Sequence, residues 1–244
     1  MSGDPVFRQR PIEWTPQTVQ RFWDWFGSNP ALSHLYFSLR YGDSLLEQVG
    51  RVIPLRGRLL DLGCGPGHLV EKALQRGLQA MGVDSSAGSV EALTRRLSGR
   101  PGFLGAHVSQ GPRVPLPDGS ADIVTVVETV EHLDDSTLEP LLREAARLAS
   151  AGGHVVVTTP HHENLPELEV MCPSCGCVFH QYQHVRSFTP AALRGHMETA
   201  GLQTVACRPV LFSSLPRWAR RLERLAYPRL KGKLPHLLYV GRPR

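Results

Sequence analysis

The fold class predicted for this sequence is α/β, an open and mostly parallel sheet with helices on both faces, on three observations. Short runs rich in Val, Ile and Leu recur along the chain. Helix-length amphipathic stretches separate them, an alternation that implies parallel strands joined by right-handed crossovers. One run, Ala121-Asp122-Ile123-Val124-Thr125-Val126-Val127, is almost continuously apolar and β-branched, as a strand buried on both faces should be. With 244 residues, 41% of them hydrophobic, the chain can fill one sizeable core, so one domain with appendages is expected.

Thr15-Pro16 reads as a helix N-cap followed by proline in the first turn, and Val19, Phe22, Trp23 and Phe26 then repeat at helical spacing. A second helix is expected over 42–53. Strands follow at 58–62 and 79–84, with helices at 67–76 and 86–98 behind each. A third strand at 103–108 leads through a proline-rich loop to the run at 121–127. A helix over 136–149, ended by Gly152-Gly153, precedes a fifth strand at 154–159. Thr189-Pro190 caps another helix that Gly201 ends, and strands at 202–212 and 237–240 complete the pattern. Residues 160–187, with their prolines, histidines and cysteines, break it and read as an insertion. The expected organisation is a helical lid at 1–54, a main domain at 55–160 and 188–244, and a Cys/His-rich insertion at 161–187.

No apolar run approaches a membrane span, and Asp4, Arg8, Arg10 and Glu13 leave no signal-peptide core, so a cytoplasmic setting is expected. The net charge of +5 is uneven. Residues 208–244 carry ten Arg and Lys against Glu223 alone, which leaves 17 basic and 21 acidic residues for the rest. Of five cysteines, Cys172, Cys175 and Cys177 crowd together, which points to metal rather than disulfides.

Leu59-Leu60-Asp61-Leu62-Gly63-Cys64-Gly65-Pro66-Gly67 runs from a hydrophobic strand into a glycine-rich turn, where backbone can approach a nucleotide-like ligand. His68 stands where a dinucleotide fingerprint needs its third glycine, which disfavours nicotinamide. The stretch resembles the first motif of class I S-adenosylmethionine-dependent methyltransferases, Asp-x-Gly-x-Gly-x-Gly, and the likeness continues over Leu116 to Val124. That resemblance implies a Rossmann-like sheet of seven strands, the last antiparallel. It implies that Asp61, Gly63, Cys64, Gly65 and Gly67 surround the methionine end of the cofactor, with Asp61 facing its ammonium. Asp84 then accepts from the ribose hydroxyls beside Ser85, and Val108 lies along the adenine in the stretch His107 to Gln110, with Glu128 beyond.

Glu128-Thr129-Val130-Glu131-His132 follows the fourth strand, where methyl donor and acceptor meet in such a fold. Methyl transfer needs positioning and removal of the acceptor's proton. His132 is the candidate base, Glu131 the group orienting it, and Glu128 a contact to cofactor or acceptor; the other reading is that Glu131 and His132 only close the pocket. Glu-x-x-Glu-His also resembles the metal-binding motif of small-RNA 3′-terminal 2′-O-methyltransferases, and is shared with ubiquinone-biosynthesis-type O-methyltransferases.

Cys172-Pro173-Ser174-Cys175-Gly176 has the spacing at which a turn presents two thiolates to one zinc ion. His180 and His184 complete the candidate structural zinc site, with Cys177 as substitute ligand; a metal-free turn is the alternative, and a redox pair lacks its usual context. The segment is similar to an insertion in a group of bacterial class I methyltransferases. His161, His162 and His184 stand as alternative bases near the acceptor.

From Ser214 to Ala226, Leu215, Trp218, Ala219, Leu222 and Leu225 share one helical face while arginines take the rest. Such a helix suits an anionic membrane surface, or packs on the last strands with a solvated basic rim. Nucleic acid is not expected, since no RNA-binding motif accompanies the charges. The expected activity is S-adenosylmethionine-dependent methyl transfer to an oxygen of a small-molecule, lipid-linked or glycan acceptor. The alternatives are a metal-dependent RNA 2′-O-methyltransferase and a non-catalytic adaptor using the zinc loop and basic tail.

Overall fold

The structure, a computed structural model, describes residues 8–109, 111, 113–231 and 234–244. Its first element is one that periodicity could not reveal: β1 (Arg10–Pro11), two residues long. The Thr15 hydroxyl then accepts from the Thr18 amide while the Thr18 hydroxyl accepts from the Thr15 amide, so α1 (Pro16–Ser28) starts where the Thr-Pro pair predicts. The second helix, α2 (Phe37–Val49), begins and ends several residues earlier than expected, because a 3₁₀ turn at Pro30–Leu35 feeds directly into it.

The alternating region folds as its pattern implies. In order come β2 (Arg58–Leu62), α3 (His68–Leu74), β3 (Gln79–Asp84), α4 (Ala87–Leu97), β4 (Phe103–Val108), β5 (Ala121–Val127) and α5 (Asp135–Leu148). Helix α5 runs directly into β6 (Ala149–Pro160), which corrects the expectation that Gly152-Gly153 ends the helix. Those glycines lie where the β5–β6 register shifts, and a side chain at Gly153 would press on the Asp122 carbonyl, so they accommodate a bulge inside a strand.

The insertion has secondary structure of its own. β7 (Glu169–Met171) and β8 (Cys177–His180) form an antiparallel hairpin, and β1 adds to β8 in parallel, so the N-terminus and the insertion share one small sheet. The chain closes with α6 (Pro190–Thr199), β9 (Leu202–Val210), α7 (Arg217–Lys231) and β10 (His236–Pro243).

The main sheet has seven strands in the order β4-β3-β2-β5-β6-β10-β9, with β10 antiparallel to both neighbours. Alternate residues feed opposite layers. Leu60, Leu62, Val124 and Val126 meet α5 and α6, while Leu59, Ile123 and Val156 meet α2, α3 and α4. The strand order reverses between β2 and β5, which opens a crevice at their carboxyl ends.

Helix α7 departs from the packed alternative. Trp218, Leu222 and Leu225 lie on its solvent side, and Arg220 turns inward to pair with Glu47 at 2.8 Å. Among the described residues no helix is long and apolar enough to cross a membrane.

One side chain locks the site end of the sheet. Leu93 of α4, fully buried, fills the space that a side chain at Gly67 or Gly82 would need, joining α4 to the glycine turn and to β3. Leu93→Ala is expected to cost about 2–5 kcal/mol in urea unfolding, the range for a buried leucine whose cavity cannot collapse.

Candidate active site

The turn after β2 is tied down by its own amides. Gly63 and Cys64 both donate to the Val83 carbonyl, at 2.8 and 3.0 Å, and Gly65 donates to the Asp84 carboxylate at 2.7 Å. The other Asp84 oxygen accepts from Ser86 N at 2.9 Å, where Ser86 caps α4. Gly65, at φ 50°, lets this loop bend toward β3, and a Cβ there would crowd the Tyr36 ring at 3.2 Å.

These residues floor a cavity of about 450 Å³ at the crevice. Its walls are the 128–133 segment, Trp23 and Phe26 of α1, Tyr36 and Phe37 at the start of α2, and Tyr182, Gln183 and His184 of the insertion. The cover is stitched together: Trp23 Nε1 donates to Gln183 Oε1 at 2.8 Å, Gln183 Nε2 to the His132 carbonyl at 2.9 Å, and Val185 N to the Glu131 carbonyl at 2.9 Å.

Of the expected cofactor residues, Gly63, Cys64, Gly65, Asp84, Ser85 and Glu128 line this cavity. Three do not. Asp61 is turned away, 3% exposed, taking the Thr125 hydroxyl at 2.6 Å, which corrects the expectation that it faces a ligand's ammonium directly. Gly67 sits behind the lining as the left-handed cap of α3, and Val108, on edge strand β4, is exposed. Gln110 lies outside the described residues. Tyr36, His68, Ser86 and the aromatic face of α1 complete the wall, and local sequence could not assign them because tertiary folding alone brings the N-terminus over the turn.

The electrostatics of the cavity are acidic. Burial raises the Asp61 carboxyl to about 7, against the Thr125 hydrogen bond and with Asp84 adding to the shift. Burial likewise raises Asp84 against its backbone hydrogen bonds, and burial with the nearby Glu128 raises Glu131 well above the usual range. The Cys64 thiol is pushed up by burial, so it is no nucleophile. Tyr36 is raised to about 12 by burial and by Asp84. A cationic ligand would relieve every one of these carboxylates, and the glycine backbone beneath leaves room for it.

Glu128, a non-glycine residue at φ 46°, ends β5 in a strained conformation held by its amide on Thr158, and its carboxylate lies 3.4 Å from His236. The expected orientation of His132 by Glu131 is not made: their nearest atoms are 4.0 Å apart, and Glu131 instead accepts from Thr159 at 3.1 Å. The His132 ring is held by the Trp23 and His184 rings, at 4.7 and 4.8 Å. Burial and the neighbouring His184 lower His132 to about 3. His161 and His162 lie outside the cavity lining, with His161 bonded to the Leu234 carbonyl.

The expected zinc ligands are not brought together. Cys172, Cys175 and Cys177 sit at the tip of the β7–β8 hairpin, whereas His180 ends β8 at its base, a strand length of roughly 10 Å away, and His184 lies beyond it. Among the described residues the groupings able to hold a metal are Glu131, His132 and His184, and Glu163, His180 and His184. In the second, His180 Nδ1 faces the amides of Tyr182 and His184, so its Nε2 carries the proton and points at Glu163, 3.6 Å away. In the first, Glu163 takes His184 Nδ1 at 2.5 Å, which frees His184 Nε2, as an outer carboxylate does for a ligating histidine.

A family profile described as a methyltransferase domain matches residues 32–207. The norajmaline N-methyltransferase of Rauvolfia serpentina is 32% identical over 119 residues, which are 47% of this chain and 40% of that protein. The ubiquinone biosynthesis O-methyltransferase of Ralstonia nicotianae is 28% identical over 178 residues, 70% of this chain and 73% of its own length. The chain thus spans less than half of the first relative and about three quarters of the second. Among solved structures, the 4+2 cyclase SpnF matches with a TM-score of 0.67 at 17% identity, covering 97% of this chain and 99% of that one. An S-adenosylmethionine-dependent methyltransferase from Mesorhizobium loti matches at 0.59 and 18%, covering 80% and 96%. At such identities the structures show the fold alone.

The raised carboxyl of Asp61 carries a pH prediction. In the folded chain it keeps its proton up to about pH 7, while in the unfolded chain it ionises near 4, so its burial costs stability progressively as pH rises from about 4 to 7 and no more above that. Asp61→Asn keeps the acceptor for Thr125 and removes the charge. Thermal melts of the ligand-free protein should show its advantage over wild type growing by about 1 kcal/mol per pH unit between about pH 4 and 7 and levelling off above pH 7; an advantage independent of pH would refute the assignment.

Proposed function

The chain belongs to the methyltransferase-domain family, and from that premise we propose that it transfers a methyl group from S-adenosylmethionine to an oxygen of a small, lipid-linked or glycan acceptor in the cytoplasm. The observation that carries the reading is the glycine-floored cavity lined by the raised carboxyls of Asp84 and Glu131, an environment that favours a sulfonium carrying an ammonium group. The oxygen acceptor rests on the ubiquinone-type relative, and is the part that assay must decide.

S-Adenosylmethionine supplies a methyl group already activated for in-line displacement. What the chain must do is hold the donor, align the acceptor and take its proton. Gly63, Gly65, Asp84 and Ser85 would hold the donor, with Asp84 exchanging part of its present backbone bonding for the ribose hydroxyls. His132 would take the proton. Its lowered pKa keeps the ring unprotonated at working pH, and its Nδ1 is buried with no hydrogen-bond partner among the described residues. Glu131 and Glu128 would set the field around it, and the Trp23–Gln183 cover would exclude water.

A second reading, metal-dependent methylation of an RNA 2′-hydroxyl, is favoured by the grouping of Glu131, His132 and His184 with Glu163 behind. It requires a divalent ion on those residues, and it predicts that chelation abolishes turnover and that the labelled product is RNA. The expected structural zinc on Cys172, Cys175, His180 and His184 would require the hairpin tip and its base to meet, so we do not carry it into the mechanism.

Four measurements test the proposal. Calorimetry should show S-adenosylmethionine binding that Asp84→Ala weakens about tenfold to a hundredfold, the loss expected for hydrogen bonds to a charged group; unchanged affinity would remove Asp84 from the site. With cofactor saturating, His132→Ala should lower kcat by about 10²–10⁴. Because His132 is held near 3, wild-type kcat should stay level down to about pH 5 and fall only below it. Incubation of cell extract with labelled cofactor, separated into lipid, small-molecule, RNA and protein fractions, identifies the acceptor.

A further inference from the structure

Helix α7 presents to solvent an apolar surface that none of the described residues covers. Trp218 is 78% exposed, Leu222 65% and Leu225 61%, and Leu215 just ahead of the helix is exposed as well. At 100° per residue these positions fall within one third of the helix circumference, so they make a continuous stripe. The helix is held in this orientation from behind. Arg220, buried on the opposite side, donates to the Leu215 carbonyl at 2.7 Å and pairs with Glu47 of α2 at 2.8 Å. A chain hiding its apolar residues by default would have rolled the helix the other way, with its arginines outward.

The charge around the stripe selects its occupant. The sequence of α7 contains Arg217, Arg220, Arg221, Arg224, Arg229 and Lys231 against the single acid Glu223, while the rest of the chain outside the basic tail is slightly acidic. Of these, Arg221 is exposed beside the stripe. A second copy of this chain, docked face to face, would bring together two helices of strongly basic sequence, each with Arg221 beside the stripe, a like-charge contact that opposes association. Nucleic acid would use the arginines and leave the leucines in water. An anionic bilayer satisfies both, with leucines and the tryptophan at the acyl boundary and arginines among the headgroups.

We propose that α7 is a membrane-surface anchor that lies in the plane of an anionic lipid bilayer, with Leu215, Trp218, Leu222 and Leu225 immersed and Arg221 at the headgroups. The arrangement is independent of the methyl-transfer reading. If that reading is correct, the anchor brings the cavity to acceptors held at a membrane.

The test uses the full chain and vesicles of phosphatidylglycerol mixed with phosphatidylcholine, against phosphatidylcholine alone, in co-sedimentation at low and high salt. Binding to the anionic vesicles is expected, weakening with salt as the Debye length shrinks. The double variant Trp218→Ser, Leu222→Ser should lose at least about tenfold in affinity, the scale for two large apolar side chains that no longer leave water. Arg221→Glu should weaken binding and flatten its salt dependence. Both variants alter exposed residues, and an unchanged circular dichroism spectrum and melting temperature verify that they fold. Absence of anionic-vesicle binding overturns the anchor, as does a double variant that binds vesicles like wild type. So does a wild-type dimer in sedimentation velocity that the double variant converts to monomer, since the stripe is then a protein interface.

Discussion

Everything at the functional end of this molecule hangs on one short contact, the Gly65 amide on the Asp84 carboxylate at 2.7 Å. Together with the Gly63 and Cys64 amides on the Val83 carbonyl, it fastens the loop after β2 to the end of β3. Two adjacent parallel strands are thereby joined at their carboxyl ends by charge-assisted and ordinary backbone hydrogen bonds. The floor of the cavity is preformed, and Asp84 stands at its lip with both oxygens engaged. That geometry needs glycine at Gly65, where the Tyr36 ring approaches, and at Gly67, where Leu93 takes the space that the missing side chain leaves.

The cover is built from segments distant in sequence. α1 reaches Gln183 through Trp23, Gln183 reaches the motif through the His132 carbonyl, and β1 joins the insertion hairpin as a third strand. Lid and insertion are therefore one structural unit above the floor, and a change in either alters the same wall. Gln183 holds its position at φ 61°, a conformation that a non-glycine residue adopts only where its surroundings impose it. The sheet thus supplies the floor of the cavity, and the N-terminus with the insertion supplies its cover.

Patterns with short range were readable in the sequence. The Thr15 and Thr189 caps, the apolar runs at Leu59 and Ile123 and the glycine turn depend on neighbours a few residues away, and each stands where its pattern predicts. Long-range relations were not. Gly152-Gly153 carries the same composition whether it ends a helix or bulges a strand, and only the approach of Asp122 distinguishes the two. Cys172, Cys175, His180 and His184 have ligand spacing along the chain, yet a hairpin places the thiols at one end and the imidazoles at the other. Asp61 belongs to the motif by sequence but serves Thr125 behind the cavity.

From the order of its residues alone, the chain declares a parallel sheet, a glycine turn for a bound cofactor and an acidic-histidine segment beyond the fourth strand, since backbone propensity, side-chain period and small-residue turns are local properties. Folding settles which of these groups face one another. It sets His132 against Trp23 and His184 rather than Glu131, gives His184 its carboxylate in Glu163, and turns α7 so that Arg220 points in and Trp218 points out. Burial, and with it the charge state of each carboxylate and imidazole, depends on distances between segments that share no sequence neighbourhood. For that reason the chemistry of the site is a property of the tertiary structure.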